Sequence, residues 1–141
     1  MQTHLSLDWA DGSYDFRLTW SGCAEIERKS NASIQAIYER VMLGGAYLSD
    51  VVEIIRQGLL GGAGGVVDEQ PVETKPPVVN ALIERYVTSV DAPPFADSWN
   101  VAKAILNTFM VGHEAAQKKR EDEDELEPIG STQPRSSPTA P

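Results

Sequence analysis

The chain has little of what most site chemistries require. It holds a single cysteine, Cys23, in 141 residues, so no disulfide can close within it, which fits a reducing compartment. Its two histidines, His4 and His113, stand in no HExxH spacing and beside no cysteine cluster, so no zinc site is spelled out. No GxSxG elbow appears, and the lone cysteine has no histidine assigned to activate it. Basic residues are scarce, 12 against 21 acidic ones for a formal net charge of −9. No basic patch results, and nucleic acid is not an expected partner. No apolar run approaches the roughly 20 residues that span a bilayer. The opening MQTHLSLDW lacks the basic segment and apolar run of a signal peptide. These absences describe a cytoplasmic, non-enzymatic protein with no catalytic residue, no metal, no cofactor and no membrane partner.

What the chain does have is a strong apolar stretch from Tyr47 to Gly65, YLSDVVEIIRQGLLGGAGG. Ser49 suits an N-cap and Asp50 the positive end of the helix dipole. Val51, Val52, Ile54, Ile55 and Leu59 fall on one side at helical spacing, with Leu48 just before them. Glu53, Arg56 and Gln57 take the other side. Gly61 and Gly62 end the helix, where a left-handed glycine is an easy stop. A stripe that broad needs cover from several directions, and the rest of the ordered chain is read as that cover.

In chain order, Leu5, Leu7 and Trp9 alternate with polar residues, as do Tyr14, Phe16, Leu18 and Trp20. Asp11-Gly12 between them predicts a two-residue hairpin turn. With that turn Trp9 faces Tyr14, Leu7 faces Phe16 and Leu5 faces Leu18. A short helix follows over Gly22 to Lys29, capped by Ser21, with Cys23, Ala24 and Ile26 inward. Ile34, Ile37, Tyr38, Val41 and Met42 define the next helix, ended by Gly44-Gly45. The stretch from Gly61 to Pro77 reads as a linker. Its glycines lack the GK[ST] of a phosphate loop and sit at the wrong end of a helix for phosphate. Thr74 or a neighbour caps a helix with Val79, Leu82, Ile83, Tyr86 and Val90 on its apolar face. From Pro94 the last helix carries Phe95, Trp99, Ala102, Leu106, Phe109 and Met110, with Ile105 at the edge, and stops at Gly112. Beyond it, QKKREDEDELEP and GSTQPRSSPTAP have no apolar period and cannot offset their own ordering entropy.

The expected fold is therefore mainly α (α+β). An N-terminal β-hairpin packs on four or five helices over residues 1–113, and a disordered acidic, Pro/Ser-rich tail occupies residues 114–141. Two apolar residues fall outside this scheme. Leu60 lies on the side of its helix away from the stripe, and Val111 lies off the stripe of the last helix. Both are candidate partner contacts.

The order and spacing of LTWSGCAEIERK, YLSDVVEIIRQGLLGGAGG, ALIERYV and FADSWNVAKAILNTFMVG behind the hairpin resemble the small tail protein of gene transfer agents and related long-tailed phages. That family is described as tail assembly chaperones and is also labelled tail tube protein. The resemblance covers about residues 5 to 115 and brings no catalytic residue with it. It implies a non-enzymatic chaperone that binds the tail tape-measure protein, with the major tail protein as a further partner. A structural tube component, or a small adaptor module unrelated to phage, is the alternative.

Overall fold

The computed structural model of the chain describes residues 4–112. His113 and the tail expected at residues 114–141 lie outside the described residues. Alternation of apolar and polar side chains produces β1 (Leu5–Trp9) and β2 (Gly12–Phe16), an antiparallel hairpin. Its register differs from the expected one by two residues. Leu5 faces Phe16, Leu7 faces Tyr14 and Trp9 faces Gly12. The turn is Ala10-Asp11, with Ala10 at φ 57°. A slip of two keeps every side chain on its own face, so the apolar pattern is satisfied by both registers. Gly12 decides between them. A side chain there would collide with the carbonyl of Val66 on a neighbouring strand, so the glycine is used for close approach inside β2. Asp11 instead accepts the Tyr14 hydroxyl at 2.6 Å. Leu18 lies past the end of the strand and is buried all the same.

The neighbouring strand belongs to the stretch expected to be a linker. Gly64–Val67 forms β3 and Gln70–Val72 forms β4, joined by Asp68 and Glu69, both in the left-handed region at φ 51° and 66°. Two consecutive positive φ values suit the twist of a tight hairpin. β3 pairs antiparallel with β2, giving one four-stranded sheet in the order β1-β2-β3-β4.

Five helices complete the described fold. α1 (Trp20–Ser30) starts two residues earlier than expected because Thr19, not Ser21, is the cap, its hydroxyl accepting from the Gly22 amide at 3.0 Å. α2 (Ile34–Leu43) is capped by Ser33 and ends on Gly44 at φ 95°. α3 (Leu48–Gly61) is the expected central helix, but Tyr47 precedes it as cap residue in place of Ser49. α4 (Pro76–Tyr86) begins on its two prolines after Lys75 and stops before Val90, which is fully exposed rather than on the apolar face. α5 (Phe95–Val111) runs to Gly112 at φ 88°. The structure moves Ile105 from the edge of the α5 stripe to its buried centre and leaves Phe95 at the rim, 43% exposed.

α3 is the axis of the core. Val51, Ile54, Ile55 and Leu59 are fully buried, with α1, α2, α4, α5 and β2 packed around them. Its C-terminal end is sealed by backbone. The Arg17 amide donates to the Gly58 carbonyl at 2.9 Å, and the Thr74 hydroxyl donates to the Leu59 carbonyl at 2.9 Å. Gly62 is extended, at φ −85°, so a left-handed cap is not why it is there. A side chain on Gly61 or Gly62 would strike the carbonyl of Arg17 or Asp15. The pair of glycines lets β2 lie against the helix end. Glu53, expected on the solvent side of α3, is 5% exposed. It is tolerated because Lys29, Arg56 and Gln57 all donate to it, at 3.2, 2.5 and 2.7 Å, and a buried charge needs such partners. Burial opposes its ionisation, but the hydrogen bonds from Gln57, Lys29 and Arg56 outweigh burial and hold its carboxyl below the usual range.

Candidate partner-binding surface

The described residues offer little chemistry. Cys23 is buried, and burial followed by the charge of Glu27 pushes its thiol up to about 12, away from the reactive thiolate. His4 contacts Asp15 at 2.8 Å, and Asp15 also accepts from the Ala63 amide, so this pair ties the N-terminus to the α3–β3 connection. Among the described residues no group of three or more His, Cys, Asp or Glu side chains is placed to hold a metal ion. Among them, too, no helix is long and apolar enough to cross a membrane.

Surface apolarity is the more informative feature. Leu43, Tyr47 and Leu48 are 84, 63 and 69% exposed, and all three sit in or beside one short connection, α2 to α3. Leu48 was expected next to the buried stripe; it points outward because the helix starts at Leu48 itself, a turn ahead of the residues that reach the core. Phe95 belongs to the same end of the molecule. The Trp99 indole donates to the Val41 carbonyl at 2.7 Å, and the Tyr38 hydroxyl donates to Asn107 Oδ1 at 2.8 Å. These bonds run α5 antiparallel to α2 and bring its first turn beside the last turn of α2.

The connection that displays these side chains is held rigidly. Gly44 takes the left-handed conformation and nothing stands within 4 Å of where its side chain would be. The Gly45 amide donates to the Arg40 carbonyl at 2.7 Å. Asp50, 1% exposed, accepts two hydrogen bonds from Arg40, both at 2.7 Å, and a third from the Tyr47 amide at 2.9 Å. Arg40 thus clasps the start of the next helix in the bidentate geometry suited to guanidinium. Its hydrogen bond to Asp50 raises its pKa above the ordinary arginine value. The same guanidinium lies 4.5 Å from the centroid of the Tyr47 ring, fixing that ring as well. Sequence reading missed this surface. The available signal was an arginine four residues before Gly44-Gly45 and an aspartate five residues after it, a pair able to close the turn.

The two residues singled out from sequence sit elsewhere. Leu60 and Val111 are both half-buried, and Leu60 packs partly against the core. Neither joins the Leu43–Leu48 connection, since Leu60 lies at the opposite end of α3 and Val111 at the opposite end of α5 from Phe95.

The architecture defines a small α+β protein with a helix-centred core and an exposed apolar connection. The family model described as phage tail tube protein, GTA-gp10, matches residues 2–112, so the chain belongs to that family of phage-type tail proteins, which is not an enzyme family. No curated protein matches the chain. No solved structure matches it either.

Proposed function

We propose that the protein acts without catalysis in building a phage-type tail, as an assembly chaperone that covers apolar helix surface of the tail tape-measure protein. The observation that carries this reading is the α2–α3 connection, where Leu43, Tyr47 and Leu48 are held out to solvent by the clasp of half-buried Arg40 on buried Asp50. A fold this small that spends a buried carboxylate and its arginine partner on fixing an apolar turn has the form of a preorganised contact. The acidic balance of the chain, −9 overall, keeps copies apart while that contact is unoccupied. Leu60 and Val111, each half-buried, are secondary contact positions in the same proposal.

The second reading, a structural component of the tube, is favoured by the family's own description and by a sheet twice as large as the hairpin expected. Against it stand strands only three to five residues long and an edge strand, β4, interrupted by Pro71. Proline and short length blunt an edge for pairing between subunits.

Co-expression with tape-measure fragments tests the chaperone reading. Wild type is expected to keep the fragments soluble and to be recovered with them. A Leu43→Asp, Leu48→Asp variant is expected to fold, by circular dichroism, and to lose recovery. A Leu60→Asp, Val111→Asp variant tests the secondary positions in the same assay. Fragments left insoluble and unbound by the wild-type protein contradict the proposal.

A further inference from the structure

The sheet has two edges, β1 and β4, and they are finished differently. In a two-residue hairpin the residues flanking the turn exchange backbone hydrogen bonds, and every second pair beyond them does the same. In β4 those pairs are Gln70 with Val67 and Val72 with Gly65, which turns the backbone of Pro71 outward. Pro71 has no N–H to offer there, and proline is a common way of blunting an edge. In β1 the pairs are Trp9 with Gly12, Leu7 with Tyr14 and Leu5 with Phe16. Ser6 and Asp8 therefore turn their N–H and C=O groups outward, and no other backbone group among the described residues pairs with them. β1 has no proline, lysine or bulge to protect this edge.

The side chains of β1 are incompletely covered in the same direction. Leu5 is buried, but Leu7 and Trp9, which point to the same side, are only half-buried. Ser6 and Asp8 are exposed on the opposite face. A partner for this edge must bring backbone groups at strand spacing, apolar side chains on the core side and a hydroxyl or amide for a carboxylate on the other. The strand Leu-Ser-Leu-Asp-Trp meets all three needs when it runs antiparallel to itself about Leu7. Leu7 then faces Leu7 of the second copy, Leu5 faces Trp9, and the Ser6 hydroxyl faces the Asp8 carboxylate. Every residue of β1 is paired. Centring the axis on Asp8 instead would set two carboxylates opposite each other. Centring it on Ser6 would run Asp8 and Trp9 past the start of the strand.

From this geometry we infer that β1 is a self-association edge, pairing with β1 of a second copy of this chain about a two-fold axis at Leu7. Ser6 and Asp8 of each copy exchange both of their backbone hydrogen bonds across the axis. The contact is isologous and closes at two copies, with the blunted β4 edges outermost. The net charge of −9 opposes association, so the dimer tightens as salt rises. This pairing does not rest on the chaperone reading, and it is measured without any tape-measure fragment.

The test is sedimentation equilibrium of the full chain over a range of protein and salt concentrations. The mass is expected to rise to twice that of the chain and stop there, at lower protein concentration when salt is higher. Ser6→Pro removes an outward N–H and none that β2 uses. It should weaken the dimer roughly tenfold or more, since half of the hydrogen bonds across the axis go, and keep the wild-type circular dichroism spectrum. Leu7→Cys gives a readout that does not depend on the proline variant folding. Its two Cα atoms would stand about 4.5 Å apart, within disulfide range, so mild oxidation should link the copies. Wild type, whose one cysteine is the buried Cys23, should stay unlinked. Leu43→Asp with Leu48→Asp should dimerise as wild type does. A chain that stays monomeric, a mass that grows past two copies, a dimer abolished by the Leu43 and Leu48 changes, or cross-linking through Ser6→Cys in place of Leu7→Cys would each overturn the inference.

Discussion

The central helix α3 is bounded on both sides by a pair of glycines, and the two pairs do opposite work. Gly44-Gly45, ahead of its N-terminal end, is free of close contacts and is there for conformation, Gly44 being left-handed at φ 95°. Gly61-Gly62, at its C-terminal end, takes ordinary backbone angles and is there for room, because β2 passes where side chains would be. One end consequently displays Leu43, Tyr47 and Leu48 to solvent, and the other is closed by strand, amide and hydroxyl. The same dipeptide gives an open surface at one end and a seal at the other. Only the path of the distant strand, some fifty residues away in sequence, separates the two cases.

The core that both ends serve sets the upper scale of any perturbation. Ile55→Ala and Leu106→Ala, each at a fully buried position, are expected to cost roughly 2–5 kcal/mol by denaturant titration, as large-to-small core changes do. At the sealed end, Gly62→Ala must displace the Asp15 backbone and should cost about 1–3 kcal/mol or more, the scale of overpacking. At the open end, Gly44→Ala meets nothing and carries only the left-handed backbone penalty of about 1–2 kcal/mol. A Gly44→Ala loss equal to or larger than that of Gly62→Ala would break the contrast between room and conformation. The smallest expected effect is on pH dependence. The Glu53 carboxyl is held below its ordinary range, so the folded state binds fewer protons there than the unfolded chain. Its stabilisation is present above the unfolded glutamate value near 4.3 and is lost as pH falls through the lower folded value. Glu53→Gln should therefore flatten the acid limb of the stability curve, measured by denaturant midpoints at successive pH values.

Much of this fold could be read from local patterns. The stripe of α3, the glycine stop of α2, the double proline of α4 and the stop of α5 at Gly112 are all short-range signals, and a helix forms at each stretch whose period marks one, although α4 ends before Val90. The faces of β1 and β2 were legible for the same reason. Their register was not, because a slip of two preserves alternation and the residue that decides it, Gly12, answers to Val66 far along the chain. The β3–β4 hairpin was hidden because GGVV and QPV are too short to show alternation, and their Asp68-Glu69 turn has no glycine at its two positive-φ positions to mark it. Burial of Glu53 was hidden in a similar way, since its acceptors are satisfied partly by Lys29 from a different helix.

The exposed apolar connection was legible only in hindsight of the clasp between Arg40 and Asp50. Leu48 reads as the start of the buried stripe until the cap residue is known to be Tyr47. Leu60 reads as wholly exposed on a helical wheel, yet it lies at the closed end of α3 and is half-covered there. Helical position alone assigns a side, whereas exposure depends on which end of the helix is closed.

The open end of α3 is read as a contact for a partner that leaves once the tail is built. Counting copies of this protein in purified mature tails, by quantitative mass spectrometry against the major tail protein, tests that most directly. The account predicts absence or trace amounts in the particle, with the protein abundant in the assembling lysate. A fixed stoichiometric ratio to the major tail protein in the finished particle would contradict it and make the protein a structural part of the tail.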